Sequence, residues 1–288
     1  MNTKKYGKLK ILYEDSSLIV VVKPSGMLSV PFEGSRGKTV LDILSEYLRS
    51  KGAYSENRRP FAVHRLDKDT SGILVFALQE GTQLKMMNHW QEKVIKREYC
   101  ALVKNQKGKK LSLKGTIAEP LAYNVHNMGY VPQIEDRKQL KEKKKLQDAK
   151  THYRLVVLGK NYSLVYLQLE TGKKNQIRAH LAYVGFPLVG DIHQKNCDTS
   201  FPRLCLHARG LSFYHPITDE LLEFIDEEPA EWSKLAKNEL LAKNKKEKNK
   251  FTREDSKNEL EKLYAKNPSH KELRKMDFIS RGKSLCKN

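Results

Sequence analysis

The run FAVHRLDKDTSGILVFAL, residues 61–78, sets two apolar stretches of strand type on either side of a polar turn. A turn between strands needs residues that satisfy backbone donors and tolerate tight dihedrals, and Asp, Thr, Ser and Gly in LDKDTSG meet that need. This turn carries more, since a histidine, an arginine and two aspartates crowd into HRLDKD. On spacing alone an ordinary turn is one reading, and a D-x-D pair of Asp67 and Asp69 holding a divalent cation is another.

The rest of the chain supplies the frame. Runs rich in Val, Ile and aromatics recur at LIVVV (18–22), ILVFAL (73–78), EYCALV (98–103), YRLVVL (153–158) and YSLVYLQLE (162–170), each of strand length. Between the first two, TVLDILSEYLRSKG places Val40, Leu41, Ile43, Leu44, Tyr47 and Leu48 on one helical face before Gly52 stops it. A second helix is expected over QLKMMNHWQEKV. A third is expected in NQIRAHLAYVG, opened by Asn175 as N-cap and closed by Gly185 with Pro187 beyond. This order predicts an α+β fold: a mixed, mainly antiparallel sheet with flanking helices.

Charge narrows the partner. With Lys+Arg 54 against Asp+Glu 34 the net charge is +20, which favours a phosphate-rich partner and makes nucleic acid the leading class. The four cysteines (Cys100, Cys197, Cys205, Cys286) form neither a disulfide framework nor a C-x-x-C metal pair, so a reducing cytoplasm is expected. No run of about 18 apolar residues and no signal-peptide pattern occurs. Two stretches break the apolar pattern, residues 135–150 and everything after about Trp232. From Leu235 onward, 16 Lys or Arg stand against 8 Asp or Glu, so this tail carries +8 of the net charge and the body is itself basic. The boundaries expected are a folded domain over 9–232 and a basic, partly disordered or weakly helical tail over 233–288.

The motifs carry a resemblance. HRLDKDTSG resembles the signature of the RluA family of pseudouridine synthases. Upstream, ILYEDSSLIVVVKPSGMLSVP (11–31) is similar to that family's opening segment. Downstream, KREYCALV (96–103), LETGKKNQIRAHLAYVGFPLVGD (169–191) and LCLHARGLSFYHP (204–216) resemble its tyrosine, arginine and closing motifs, in the family's order. The D-x-D alternative is a metal-dependent phosphatase of the haloacid dehalogenase type. Against it, Ser71 stands where those enzymes carry Thr or Val, and no later pair of adjacent aspartates follows.

The resemblance implies a bifurcated sheet with a central basic catalytic cleft and a single catalytic domain. It implies isomerisation of uridines to pseudouridine in structured RNA, without metal or organic cofactor. Asp67 would be the nucleophile, attacking either ribose C1′ or the uracil ring. Arg178 would be the adjacent cation that favours its ionised form. Tyr99 would lie against the uracil and take part in proton transfer, Ile177 would pack on the reacting nucleotide, and Arg65 would brace the gap left by a flipped base. His64 is a candidate RNA contact or a structural histidine, while Thr70, Ser71 and Gly72 would shape the turn.

Two departures stand out: Lys173 replaces an arginine common in the family and Asn175 a histidine, with Asn175 still able to cap a helix. The aromatic often found after the Gly-Asp of this motif is missing, since GDIHQK continues with Ile192, His193 and Gln194. The opening motif begins by about residue 11, so no S4-type RNA-binding module is expected before it. The expected substrate is large-subunit ribosomal RNA first and transfer RNA second, and the expected state a monomer without an obligatory protein partner. The alternative is a non-catalytic RNA-binding or ribosome-assembly protein that retains the fold.

Overall fold

Apolar runs without alternation make strands buried on both faces, and two of them form the centre of this fold. In the computed structural model, which describes residues 4–244 other than 8, 144, 195–197 and 199–200, β1 (Lys4–Tyr6) and β2 (Leu9–Glu14) lead into β3 (Leu18–Lys23). Helix α1 (Val40–Ser50) and the short β4 (Phe61–Ala62) precede β5 (Ser71–Ala77), which is buried throughout. β3 and β5 pair antiparallel from Leu18↔Ala77 to Lys23↔Gly72. Then come α2 (Glu80–Asn88), α3 (Trp90–Lys93), β6 (Val94–Lys104), β7 (Lys114–Ile117), the small hairpin of β8 (Ala122–Tyr123) and β9 (Gly129–Tyr130), and α4 (Ile134–Glu142). The chain closes with β10 (Thr151–Leu158), β11 (Tyr162–Leu169), α5 (Gln176–Tyr183), β12 (Leu206–Tyr214), β13 (Leu221–Ile225) and α6 (Ala230–Asn244).

One 11-stranded sheet runs β1-β2-β3-β5-β12-β6-β11-β10-β7, with β4 added beside β5 and β13 beside β12. All its pairings are antiparallel but one: β5 and β12 run parallel over only His207↔Ser71 and Ala208↔Gly72. Beyond that contact β5 takes β4 and β12 takes β13, so the sheet forks. Gly72 makes the joint. Its φ is +119, and a Cβ there would lie 2.2 Å from Ala208 O, so only glycine lets the two strands meet. Buried polar bonds staple the same place. Ser71 Oγ and His207 Nδ1 share a hydrogen bond at 2.8 Å, and His207 Nε2 lies 3.0 Å from Asp226 O. The loop bearing Asp67 leads straight into this joint.

Apolar faces then dock on the sheet. Leu44 and Leu48 of α1 pack with Ile19, Val21 and Leu74, while Met86 of α2 joins Val20, Val75, Phe213 and Phe224 in another cluster. Ile177 and Leu181 of α5 pack with Ala101, Val103, Val165 and Leu167 of β6 and β11. Thr39 and Asp42 close a reciprocal capping box on α1, and Gly52 ends it as expected, its N–H donating to Arg49 O.

All five expected strands form, but the sequence reading needs correction elsewhere. The helix expected over QLKMMNHWQEKV begins earlier, at Glu80, and breaks at His89 (φ −111, ψ 22), giving α2 and α3. The charged stretch 135–150 contains most of α4, which buries none of its residues. The body also extends past the expected boundary at 232: Trp232 and Ala236 of α6 pack against Cys100, Leu102 and Cys205. The compact unit ends at Leu241, and Ala242–Asn244 complete α6. The rest of the expected tail, 245–288, lies outside the described residues. No helix among the described residues is long and apolar enough to cross a membrane.

Candidate active site

Two loops build the site, one after β3 and one before β5. Lys23 ends β3 with its side chain fully closed off from solvent. Its Nζ donates to Pro24 O (3.0 Å), Met27 O (2.6 Å) and Lys68 O (2.8 Å), so one buried ammonium ties its own turn to the residue after Asp67. Gly26 N also donates to Lys68 O, Ser25 Oγ to Asp69 O, and Ser29 Oγ to Leu66 O while accepting from Leu66 N. Asp67 is thus flanked by backbone fixed on both sides, and Thr70, buried, closes the turn through its N–H to Asp67 O. Burial pulls the Lys23 pKa down to about 7, against the pull of the Asp69 and Asp67 carboxylates.

The cleft above this loop holds about 950 Å³. Asp67, Tyr99, Ile177 and Arg178 all line it, as do Arg65, His64, Thr70 and Lys173. The fold therefore brings these eight residues to one cleft, while Asp69, Ser71 and Gly72 of the same turn stay outside its lining. Arg97 and Lys174 add further positive charge to the lining, where Asp67 is the sole carboxylate among the described residues.

The partners differ from the expected ones. Arg178 does not bond to Asp67; its Nε and Nη2 donate to Asp191 Oδ2 (2.8 Å) and Oδ1 (2.7 Å), both residues being buried. Burial would lower the Arg178 pKa, but the Asp191 bonds and charge, with Asp67 and Asp69 farther off, hold it above the ordinary value. Asp191 therefore fixes the position of Arg178, which lines the same cleft as Asp67. Asn175 does not cap α5. Its backbone is left-handed (φ 58, ψ 18), no capping bond forms, and its Nδ2 donates instead to Asp67 Oδ2 at 2.7 Å.

Tyr99 sits in β6 opposite Leu167 and Ala208, packed against two core clusters. Burial, with the Asp67 charge adding to it and Arg97 opposing it, pushes the phenol up to about 12. Arg97, two residues earlier, anchors its Nη2 on Leu169 O (3.2 Å) and Glu170 O (2.9 Å) at the end of β11. His64 is held as a structural group: its Nε2 accepts from Val75 N (3.2 Å), its ring lies 4.9 Å from that of Trp90, and burial beside Arg97 pushes its pKa down to about 3. A neutral imidazole is what that acceptor role requires. Arg65 is exposed at the cleft. Ile177 is only 4% exposed, so it serves the core as well as the lining. Lys173 gives its backbone N–H to Gln176 Oε1 (2.9 Å) and its side chain to the cleft wall.

Sequence reasoning held Lys23 only as part of the opening motif, 11–31, and passed over Asp191 and Arg97. A lysine ending an otherwise apolar, doubly buried strand was the available signal for Lys23. Asp191 had none beyond the Gly-Asp pair.

The RNA pseudouridylate synthase family matches residues 17–183. The chain belongs to that family. The RluA-type motifs agree, and the enzyme is an RNA pseudouridine synthase, so the phosphatase and the non-catalytic reading both give way. Among its relatives, ribosomal large subunit pseudouridine synthase D of Zymomonas mobilis is 33% identical over 239 residues, 80% of this chain and 72% of that one. An uncharacterized RNA pseudouridine synthase of Synechocystis is 35% identical over 233 residues, 79% of this chain and 68% of its own. The synthase shares its fold with two human structures. Human RNA pseudouridylate synthase domain containing 4 superposes with a TM-score of 0.59 at 21% identity, over 77% of this chain and 90% of that one. Domain containing 1 gives 0.60 at 21% identity, over 80% and 87%.

Proposed function

We propose that the synthase isomerises uridines of structured RNA with Asp67 as nucleophile, large-subunit ribosomal RNA being the first substrate and transfer RNA the second. The observation that carries this reading is Asp67, on a loop whose backbone is anchored on both sides, as the one carboxylate among the described residues of a lining that also holds Arg65, Arg97, Arg178, Lys173 and Lys174. Those cations attract the phosphates of an RNA backbone.

The reaction breaks the bond from uracil N1 to ribose C1′ and forms one from C5 to C1′. N1 gains a proton and C5 loses one, so no atom is added overall. Asp67 attacks at C1′ or on the ring, holds the fragment covalently while the base turns, and is released unchanged. Tyr99 keeps its proton at neutral pH and so enters as a hydroxyl. The uridine reaches this depth by leaving its stack, and Arg65, exposed at the rim, suits the task of filling the gap. The ribosomal preference follows the name of the Zymomonas relative.

We place the synthase in the cytoplasm as a monomer, a setting that suits the free, buried thiols of Cys100 and Cys205. Of the basic stretch 235–288, the part beyond α6, residues 245–288, would add sequence-independent phosphate attraction, so its deletion flattens the salt dependence of RNA binding. The test is tritium release from RNA labelled at uracil C5, drawn from cells lacking this gene. Wild type releases label and Asp67→Asn does not; equal release by both overturns the nucleophile assignment.

A further inference from the structure

The side chain of Asn175 joins the Asp67 turn to the β8–β9 hairpin by one hydrogen bond to each. Its Nδ2 lies 2.7 Å from Asp67 Oδ2, and its Oδ1 accepts from Gly129 N at 3.3 Å. The amide can face only one way. A backbone N–H can only donate and an ionised carboxylate can only accept, so Oδ1 must meet Gly129 and Nδ2 must meet Asp67. The residue is 6% exposed, and its left-handed backbone is one that L residues avoid and asparagine tolerates best. It also forgoes the helix cap that its place before Gln176 would offer.

We infer that Asn175 is a positioning residue for the reaction: its carboxamide fixes the Asp67 carboxylate and ties it to the β8–β9 hairpin through Gly129. This rests on Asp67 being the nucleophile. One carboxylate oxygen is held, which sets the rotation of the group and turns the other oxygen to the substrate. A neutral donor does this without the direct ion pair that would make the carboxylate a poorer nucleophile, and Arg178 is occupied by Asp191. The donor also does not titrate. The other ionisable groups around the pair are Lys23 from β3, Asp69 from the same turn, Tyr99 from β6, Tyr123 from β8, and Arg178 with Lys173 and Lys174 from α5 and its approach.

The test uses single-turnover tritium release, with enzyme in excess over RNA from cells lacking this gene. Asn175→Gly accepts the left-handed backbone and removes the carboxamide. Its maximal rate falls roughly ten- to hundredfold, the scale of a lost hydrogen bond to a charged group, while the half-saturating enzyme concentration stays the same. Asn175→Asp keeps the backbone and the acceptor for Gly129 but sets two carboxylates side by side, so one of them holds a proton to higher pH. Its rate relative to wild type recovers as pH falls and drops as pH rises. This second variant keeps the question open to decision if Asn175→Gly folds poorly. A wild-type rate in Asn175→Gly, or a pH profile of Asn175→Asp parallel to wild type, overturns the inference. With Asp67→Asn inactive in the same assay, either result removes only the role of Asn175; an active Asp67→Asn removes the nucleophile reading beneath it.

Discussion

Lys23 Nζ lies 2.8 Å from Lys68 O, so the residue that ends β3 holds the carbonyl next to Asp67 in the chain. A buried ammonium with carbonyl acceptors is a rigid support, because each of its three N–H groups has a fixed target. Its cost is desolvation.

That cost gives a pH signature. The Lys23 pKa is about 7 in the folded protein and near its ordinary 10.5 once unfolded. Between those values the unfolded chain binds more protons than the native one, so this group adds stability as pH rises and removes it as pH falls through 7. Urea unfolding at about pH 6 and about pH 9 will show wild type gaining on Lys23→Met at the higher pH. The variant also loses activity, since the Asp67 loop is no longer anchored.

Asp191 is predicted to matter chiefly through Arg178, its Oδ1 also accepting from His193 N. Asp191→Ala leaves a buried guanidinium without its bidentate partner, a loss of about 3–5 kcal/mol. Urea unfolding reads the stability, and the loss exceeds that of any single exposed ion pair such as Lys38–Glu46.

Gly72→Ala places a methyl 2.2 Å from Ala208 O at the joint of the forked sheet and forces a positive φ on alanine. The expected destabilisation is about 3 kcal/mol or more, seen as a lowered unfolding midpoint or insoluble expression. Gly26→Ala, whose added methyl meets nothing within 4 Å, pays only for its φ and loses less.

Tyr99→Phe keeps the ring and removes the hydroxyl. The single-turnover rate is predicted to fall roughly 100-fold with RNA affinity unchanged. Because the phenol is held up to about 12, the wild-type pH profile carries no limb from Tyr99 near neutrality.

The sequence made the central strands legible because β3 and β5 are unbroken apolar runs, and it made α1 legible through its apolar face and Gly52. It did not reveal the break at His89, where the motif of apolar positions runs on while the backbone turns. Nor did it reveal that α6 brings Leu235 and Ala236 to the core beside Trp232, because their short apolar face is set among lysines and was read with the charged stretch that follows. The site residues were visible through ordered motifs, but their partners were not. Arg178 finds Asp191 thirteen positions on, and Asn175 leaves its helix for Asp67 across 108 positions, contacts that only the folded chain creates.

The most direct measurement is pseudouridine mapping across total RNA from cells lacking this gene, complemented with wild type or with Asp67→Asn. The account predicts that one or a few sites, in large-subunit ribosomal RNA before transfer RNA, vanish without the gene and return only with wild type. Sites that never change, or that Asp67→Asn restores equally well, would contradict it.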